Sequence, residues 1–228
     1  MGSYTVSKLI DDVIPSVNGF PGESFSGAAL QNFYNRRGER ALASWDTPQS
    51  LVISYLYELP FGPGKHFLAR GGVVGKIIGG WEINGITTFM SGSPLQISGG
   101  NASGTFAGTQ RPNWSGVNAA KSGPITDRLG AYFDTFVFSM NDPYTFGNAP
   151  RMMPNLRGPR PNNFDISVFK NTQLNERFRL QFRAEAFNAF NHVQFGVPNT
   201  NITSNTFGRI SSQQNTPRDI QLALRLRF

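Results

Sequence analysis

The residues able to do chemistry are few and poorly spaced for it. His66 and His192 are the two histidines. Neither stands in a HExxH pattern or beside a carboxylate, so a zinc-type site has no support; both are expected in loops. Gly62-Pro63-Gly64-Lys65 and Gly75-Lys76 resemble the end of a phosphate-binding loop, where backbone amides would cradle the phosphates. No Ser or Thr follows either lysine, and no glycine stands five residues before Gly64 or Gly75, so both stretches are expected to be turns. No GxSxG elbow is present. Asp11-Asp12 could contribute carboxylates to a calcium site, but a solvated acidic turn is the simpler expectation. With no cysteine, thiolate metal sites, disulfide scaffolds and cysteine nucleophiles are excluded. The expectation is a chain with no catalytic residue, no metal site and no cofactor, and therefore not an enzyme.

What remains is charge laid out on a repeat of two. Arg177, Arg179, Gln181, Arg183 and Glu185 alternate with Phe178, Leu180, Phe182, Ala184 and Ala186. These residue types favour helix. On a helix, however, residues two apart lie about 200° apart, which puts arginines on opposite sides and leaves no clean apolar face. A strand with one polar and one apolar face accounts for the pattern. The last segment repeats it: Ile220, Leu222, Leu224, Leu226 and Phe228 on one face, Gln221, Ala223, Arg225 and Arg227 on the other.

Weaker alternation marks Leu51–Leu59 and Phe164–Thr172, β-branched and aromatic residues between turn signals mark Trp81–Met90, and Ser3–Lys8 reads as the short remnant of a strand. Strands are expected at about 2–8, 49–59, 80–91, 163–173, 176–187 and 218–228. The connections 9–48, 92–162 and 188–217 then span 40, 71 and 30 residues, against 20 and 2 for 60–79 and 174–175. Long loops at one rim and short ones at the other are the mark of an outer-membrane barrel, and a compact soluble domain rarely carries structureless loops of that length. Tyr55, Tyr57, Trp81, Phe89, Phe164, Phe178 and Phe187 are placed to serve as interfacial aromatics.

Composition is compatible with that reading. Mean hydropathy is −0.29 and no stretch approaches the roughly 20 apolar residues of a spanning helix, whereas a barrel with a polar lumen averages out as nearly soluble. The net charge of +7 would suit an anionic partner. Its densest cluster is only Arg36, Arg37 and Arg40 around Glu39, without any nucleic-acid-binding motif, so no nucleic acid is expected. The N-terminus lacks the basic and apolar regions of a signal peptide, so the natural start is expected upstream.

The order of motifs resembles the C-terminal part of the barrel of Oar-like TonB-dependent outer-membrane transporters. The matching stretches are SYTVSKLIDD (3–12), YNRRGERALASWD (34–46), YLYELPFGPGKHFL (55–68), GGWEINGITTFMSGSPLQI (79–97), RPNWSG (111–116), YFDTFVF (132–138), TFGNAPR (145–151), the long run from Leu156 to Asn199, FGRI (207–210) and PRDIQLALRLRF (217–228). The resemblance covers nearly the whole chain. It implies an all-β fold, an antiparallel transmembrane barrel of which residues 1–228 supply about six strands as an incomplete curved sheet with long, poorly defined extracellular loops.

It further implies a bacterial outer-membrane location, uptake of a large or scarce substrate, and partnership with outer-membrane lipid. The plug and TonB box of such transporters are not read in these residues, so contact with the TonB complex is expected only through a missing N-terminal region. Leu222, Leu224, Leu226 and Phe228 resemble the C-terminal signal that the barrel assembly machinery reads. Arg177, Arg179, Arg183, Glu185, Arg225 and Arg227, joined by Glu58 and Glu82, are expected to line the lumen and to pair across strands. Two other readings stay open at this point: a structural or adhesive outer-membrane module working through its loops, and a soluble, basic, all-β binding domain.

Overall fold

The computed structural model describes residues 1–12, 31–32, 34–69, 71–99 and 110–228. Ten strands are described: β1 Gly2–Val6, β2 Ile10–Asp11, β3 Ala41–Leu42, β4 Gln49–Glu58, β5 Trp81–Met90, β6 Asn113–Trp114, β7 Phe138–Ser139, β8 Asn162–Gln173, β9 Arg179–Phe187 and β10 Asp219–Arg227. A seven-residue helix, α1, covers Gly72–Ile78. No helix among the described residues is long and apolar enough to cross a membrane, which says nothing about strands.

Six strands form one antiparallel sheet in the order β1-β4-β5-β8-β9-β10. Each long strand pairs with the next long strand in the chain, so the sheet is a meander. β4, β5, β8, β9 and β10 have 9 to 12 residues, the length needed to span a bilayer when tilted. All six lie where the alternation places them. The sheet does not close: β1 and β10 are its two edges, each paired on one side only.

Register turns the alternation into two continuous faces, because directly paired residues share a face. One face carries Leu51, Ile53, Tyr55 and Tyr57 of β4 beside Phe89, Thr87, Gly85 and Ile83 of β5. It continues through Phe164, Ile166 and Val168 to Leu180, Phe182, Ala184 and Ala186, and ends on Leu226, Leu224, Leu222 and Ile220. No second layer covers this face among the described residues. Leu222, Leu224 and Leu226 are 65%, 69% and 51% exposed. A sandwich would bury such a face; a sheet solvated by lipid need not.

The other face is polar, and it holds most of the charges expected there. A hydrogen-bond relay crosses three strands: Gln181 Nε2 donates to Asn171 Oδ1 at 2.9 Å, and Asn171 Nδ2 donates to Glu82 Oε1 at 2.9 Å. Arg179 Nε donates to Gln173 Oε1 at 3.0 Å. The Arg183 guanidinium lies 4.4 Å from the Phe169 ring centroid and 3.6 Å from a Glu185 oxygen.

Three expectations are corrected. Arg177 is not in a strand: Asn175 Oδ1 accepts from the amides of Arg177 and Phe178, an Asx turn that delays β9 to Arg179 and lengthens the expected two-residue turn to 174–178. Glu58 and Glu82 do not meet the arginines, because the register sets them opposite each other; Glu58 pairs with Lys65 instead at 2.6 Å. Arg225 and Arg227 share the polar face but form no ion pair among the described residues, facing Gln181 and Arg179 across the ladder.

The hydrophobic core lies in the long connections, where poorly defined loops were expected. Leu95, Ile97, Ala119, Tyr132, Phe133, Val137, Phe138, Met153, Leu156 and Ile210 form one buried cluster, all from 92–162 and 188–217. Phe207 sits edge-on to Phe133 with ring centroids 5.2 Å apart. The pairs β2–β3 and β6–β7 and the bridge Phe195 to Gln213 each fold one connection onto itself, while the bridge Ser98 to Asn201 and the shared core join 92–162 and 188–217 into one lobe at the long-loop rim. At the opposite rim Gly62 and Gly64 have φ of +104° and +75°, the turn glycines expected there. Gly75 lies instead inside α1 and is buried.

Candidate functional site

The lobe is held by arginines reaching across more than 70 residues of chain. Arg111 Nη1 meets Glu39 Oε2 at 2.6 Å, and Arg157 Nη2 meets Asp46 Oδ2 at 2.6 Å. Arg151, fully buried, pairs with the Asp11 carboxylate; it also donates to the Asp11 carbonyl at 2.8 Å and through Nε to the Glu39 carbonyl at 2.8 Å. Each pair joins the first long connection to the second. The motifs quoted above are therefore clamp halves: Asp11, Glu39 and Asp46 from the stretches 3–12 and 34–46, Arg111, Arg151 and Arg157 from RPNWSG, TFGNAPR and LRGPRP.

The acidic doublet is accounted for the same way, one carboxylate to each of two arginines. Asp12 pairs with Arg36 at 2.9 Å, and the hydrogen bond from that guanidinium holds its carboxyl below the usual range. No group of three or more potential metal ligands is found among the described residues.

Between the lobe and the rim of the sheet lies a cleft of about 1140 Å³. Pro48 and Gln49 before and at the start of β4, Ser91 and Gly92 after β5, Pro159, Arg160 and Asn162 before and at the start of β8, and Phe190 to Val193 after β9 form its floor. Asn118, Ala120, Lys121, Ile125, Thr126, Arg128 and Tyr132 form its wall. Its basic lining is Lys121, Arg128, Arg157, Arg160 and His192, and no Asp or Glu lines it among the described residues. A cavity lined by one sign of charge focuses the field and concentrates ligands of the other sign.

The basic residues divide into two sets. Arg128 and Arg157 are structural. Arg128 donates to the Lys121 carbonyl at 2.6 Å and stacks 4.9 Å from the Tyr132 ring centroid, while Arg157 is fixed by Asp46 and by the Gly92 carbonyl at 3.1 Å. Lys121, Arg160 and His192 are exposed, and their side chains have no hydrogen-bond partner among the described residues. These three can turn to an incoming ligand. Sequence reading placed His192 in a loop and did not single out Lys121 or Arg160, which lie in separate segments without a shared motif.

Tyr132 anchors the wall. Its hydroxyl donates to the Arg157 carbonyl at 2.9 Å, and burial pushes its pKa up from 10, opposed by the positive charge of Arg128 and Arg160. The folded state thus favours the neutral phenol. That contribution is whole below pH 10 and is lost as the pH rises through the raised folded value. Tyr132→Phe is expected to cost about 1 kcal/mol at neutral pH and to remove one alkaline step from the stability profile, read by denaturant melts between pH 9 and 12. An unchanged alkaline profile would exclude this role.

A family model described as "Outer membrane beta barrel domain" matches residues 1–221. No curated protein and no solved structure gives a match. The family's barrels keep short turns at the periplasmic rim and long loops outside, so the lobe and its cleft are extracellular and the apolar sheet face meets lipid. With a six-stranded meander apolar on one face and polar on the other, and its packed core confined to the loops, the chain belongs to the outer membrane beta barrel domain family and resides in the bacterial outer membrane.

Proposed function

We propose that the chain is the C-terminal barrel wall of a TonB-dependent outer-membrane transporter, and that its extracellular cleft receives an anionic substrate on the way to the lumen. The observation that carries the substrate class is the cleft lining, in which Lys121, Arg160 and His192 are available and no carboxylate is present among the described residues. The ordered resemblance of its motifs to Oar-like transporters supports the transport reading. The wall itself is passive. It performs no covalent chemistry, and energy coupling is assigned to a plug and TonB box that are not read in these residues.

The test is uptake in cells. Substrate-dependent growth or tracer uptake should require both the barrel and TonB. The double reversal Lys121→Glu/Arg160→Glu should lower uptake of an anionic substrate roughly tenfold, as expected for about 1–2 kcal/mol from two exposed charges, at unchanged barrel level. Uptake that persists without TonB sinks the transporter class. Uptake that needs TonB but ignores the double reversal sinks the anionic substrate alone.

A further inference from the structure

We infer that α1 is a membrane-surface anchor, lying on the phospholipid headgroups of the periplasmic leaflet beside the barrel wall. It sits in the β4–β5 connection and is fastened on the lipid side of the rim. Trp81 Nε1 donates to the Ile77 carbonyl at 3.1 Å. Lys170 Nζ donates to the Lys76 carbonyl at 2.6 Å and to that of Gly79. Trp81 and Lys170 are direct partners in the β5–β8 register and belong to the apolar face, with the ammonium 5.6 Å from the indole. From the neighbouring turn, the Leu174 carbonyl accepts from Lys76 Nζ at 3.2 Å. The helix therefore continues the lipid-facing surface.

Its sequence suits that place. At 100° per residue, Val73, Val74 and Ile77 occupy one arc, and Gly75 lies roughly opposite them. Gly75 is buried against the rim, while Val73, Val74 and Ile77 are 74%, 48% and 64% exposed. Phe67 and Leu68, just upstream, are 60% and 54% exposed. Facing water, this cluster would be a costly apolar patch, and a helix of seven residues without a side-chain cap has little stability of its own. Facing lipid, both difficulties are relieved: the aliphatic arc enters the acyl boundary while Lys76 stays at phosphate level, and tryptophan beside it is the usual interfacial residue. The inference rests on the barrel family and the geometry at Trp81 and Lys170, and holds whether or not the chain transports anything.

The absence of cysteine from these residues gives a clean test. The full-length protein carrying Val73→Cys would be labelled with a polarity-sensitive fluorophore and reconstituted in phosphatidylethanolamine/phosphatidylglycerol vesicles, with or without brominated acyl chains. The reference is Phe136→Cys on the extracellular lobe, where Phe136 is 96% exposed. Brominated lipid should quench the label at position 73 at least about twofold and leave position 136 near its unquenched level. Quenching at 73 by aqueous iodide alone, as at 136, would overturn the anchor. Shielding from both quenchers would also overturn it, by showing a protein partner on the helix. Heat-modifiable migration of each variant confirms that the barrel has formed.

Discussion

Replacing Arg151 with methionine should detach the first extracellular connection from the lobe at a cost of about 3–5 kcal/mol, while the membrane sheet stays intact. Arg151 is 0% exposed and serves the Asp11 carboxylate together with the Asp11 and Glu39 carbonyls. Methionine fills similar volume, so packing is largely preserved and the loss is electrostatic. A partly buried carboxylate and two carbonyls are left without their donor. Glu39, 1% exposed in its side chain, is also the partner of Arg111, so the disturbance spreads to the second clamp. By contrast, Arg36→Ala breaks an ion pair whose side chains are 57% and 47% exposed and should cost well under about 1 kcal/mol. Limited proteolysis of intact cells separates the two. Arg151→Met should expose cleavage sites within 34–48 at protease levels that leave Arg36→Ala and the parent uncut, with heat-modifiable migration unchanged in all three. Equal protection of Arg151→Met and Arg36→Ala would rule out the clamp.

The contrast between these arginines shows what a sequence can and cannot disclose. The strands were legible because a two-faced sheet imposes a period of two, and the residues around Leu222 and Arg183 obey it under any register. Pairing across strands was not legible. Opposition of Glu58 to Glu82, rather than to an arginine, is set by the connection between β4 and β5, whose turns and short helix have no period to count. A single side chain, Asn175, moved Arg177 out of β9. The lobe was least visible: Asp11 and Arg151 lie 140 residues apart, and Glu39 sits among Arg36, Arg37 and Arg40, where it reads as part of a solvated patch while reaching inward to Arg111. The core aromatics Phe133 and Phe207 pack from loops and Phe138 from a two-residue strand, so they follow no helical or strand period that could be counted. Three acidic residues in the stretches 3–12 and 34–46 and an arginine in each of three distant motifs were the available clue, and only the fold pairs them.

The faces assigned to β10 lead to the second large effect. Leu224 lies on the lipid face, opposite Phe182 of β9, near the middle of the strand. Leu224→Arg places a cation in the hydrocarbon region, which costs about 2–4 kcal/mol near the midplane. Gln221→Arg puts the same residue type on the polar face opposite Glu185, where a cross-strand charge pair is mildly favourable. Folded, heat-modifiable protein in the outer membrane should therefore fall at least about tenfold for Leu224→Arg, given 1.4 kcal/mol per factor of ten, and remain near the parent level for Gln221→Arg. Similar losses in both would mean that any charge on this edge is harmful, and the face assignment would fail. Assembly adds a second demand on the strand. Leu222, Leu224, Leu226 and Phe228 form the apolar row of an edge with unpaired backbone groups, which another strand can extend, and we propose that the barrel assembly machinery reads this row. Deleting Phe228, which is 87% exposed and outside the β9–β10 ladder, removes little native packing. If Phe228 serves recognition, its deletion should lower the amount of assembled barrel without lowering the denaturant midpoint of the barrel that does assemble. A parallel fall in both would make Phe228 a stability residue and sink the recognition role.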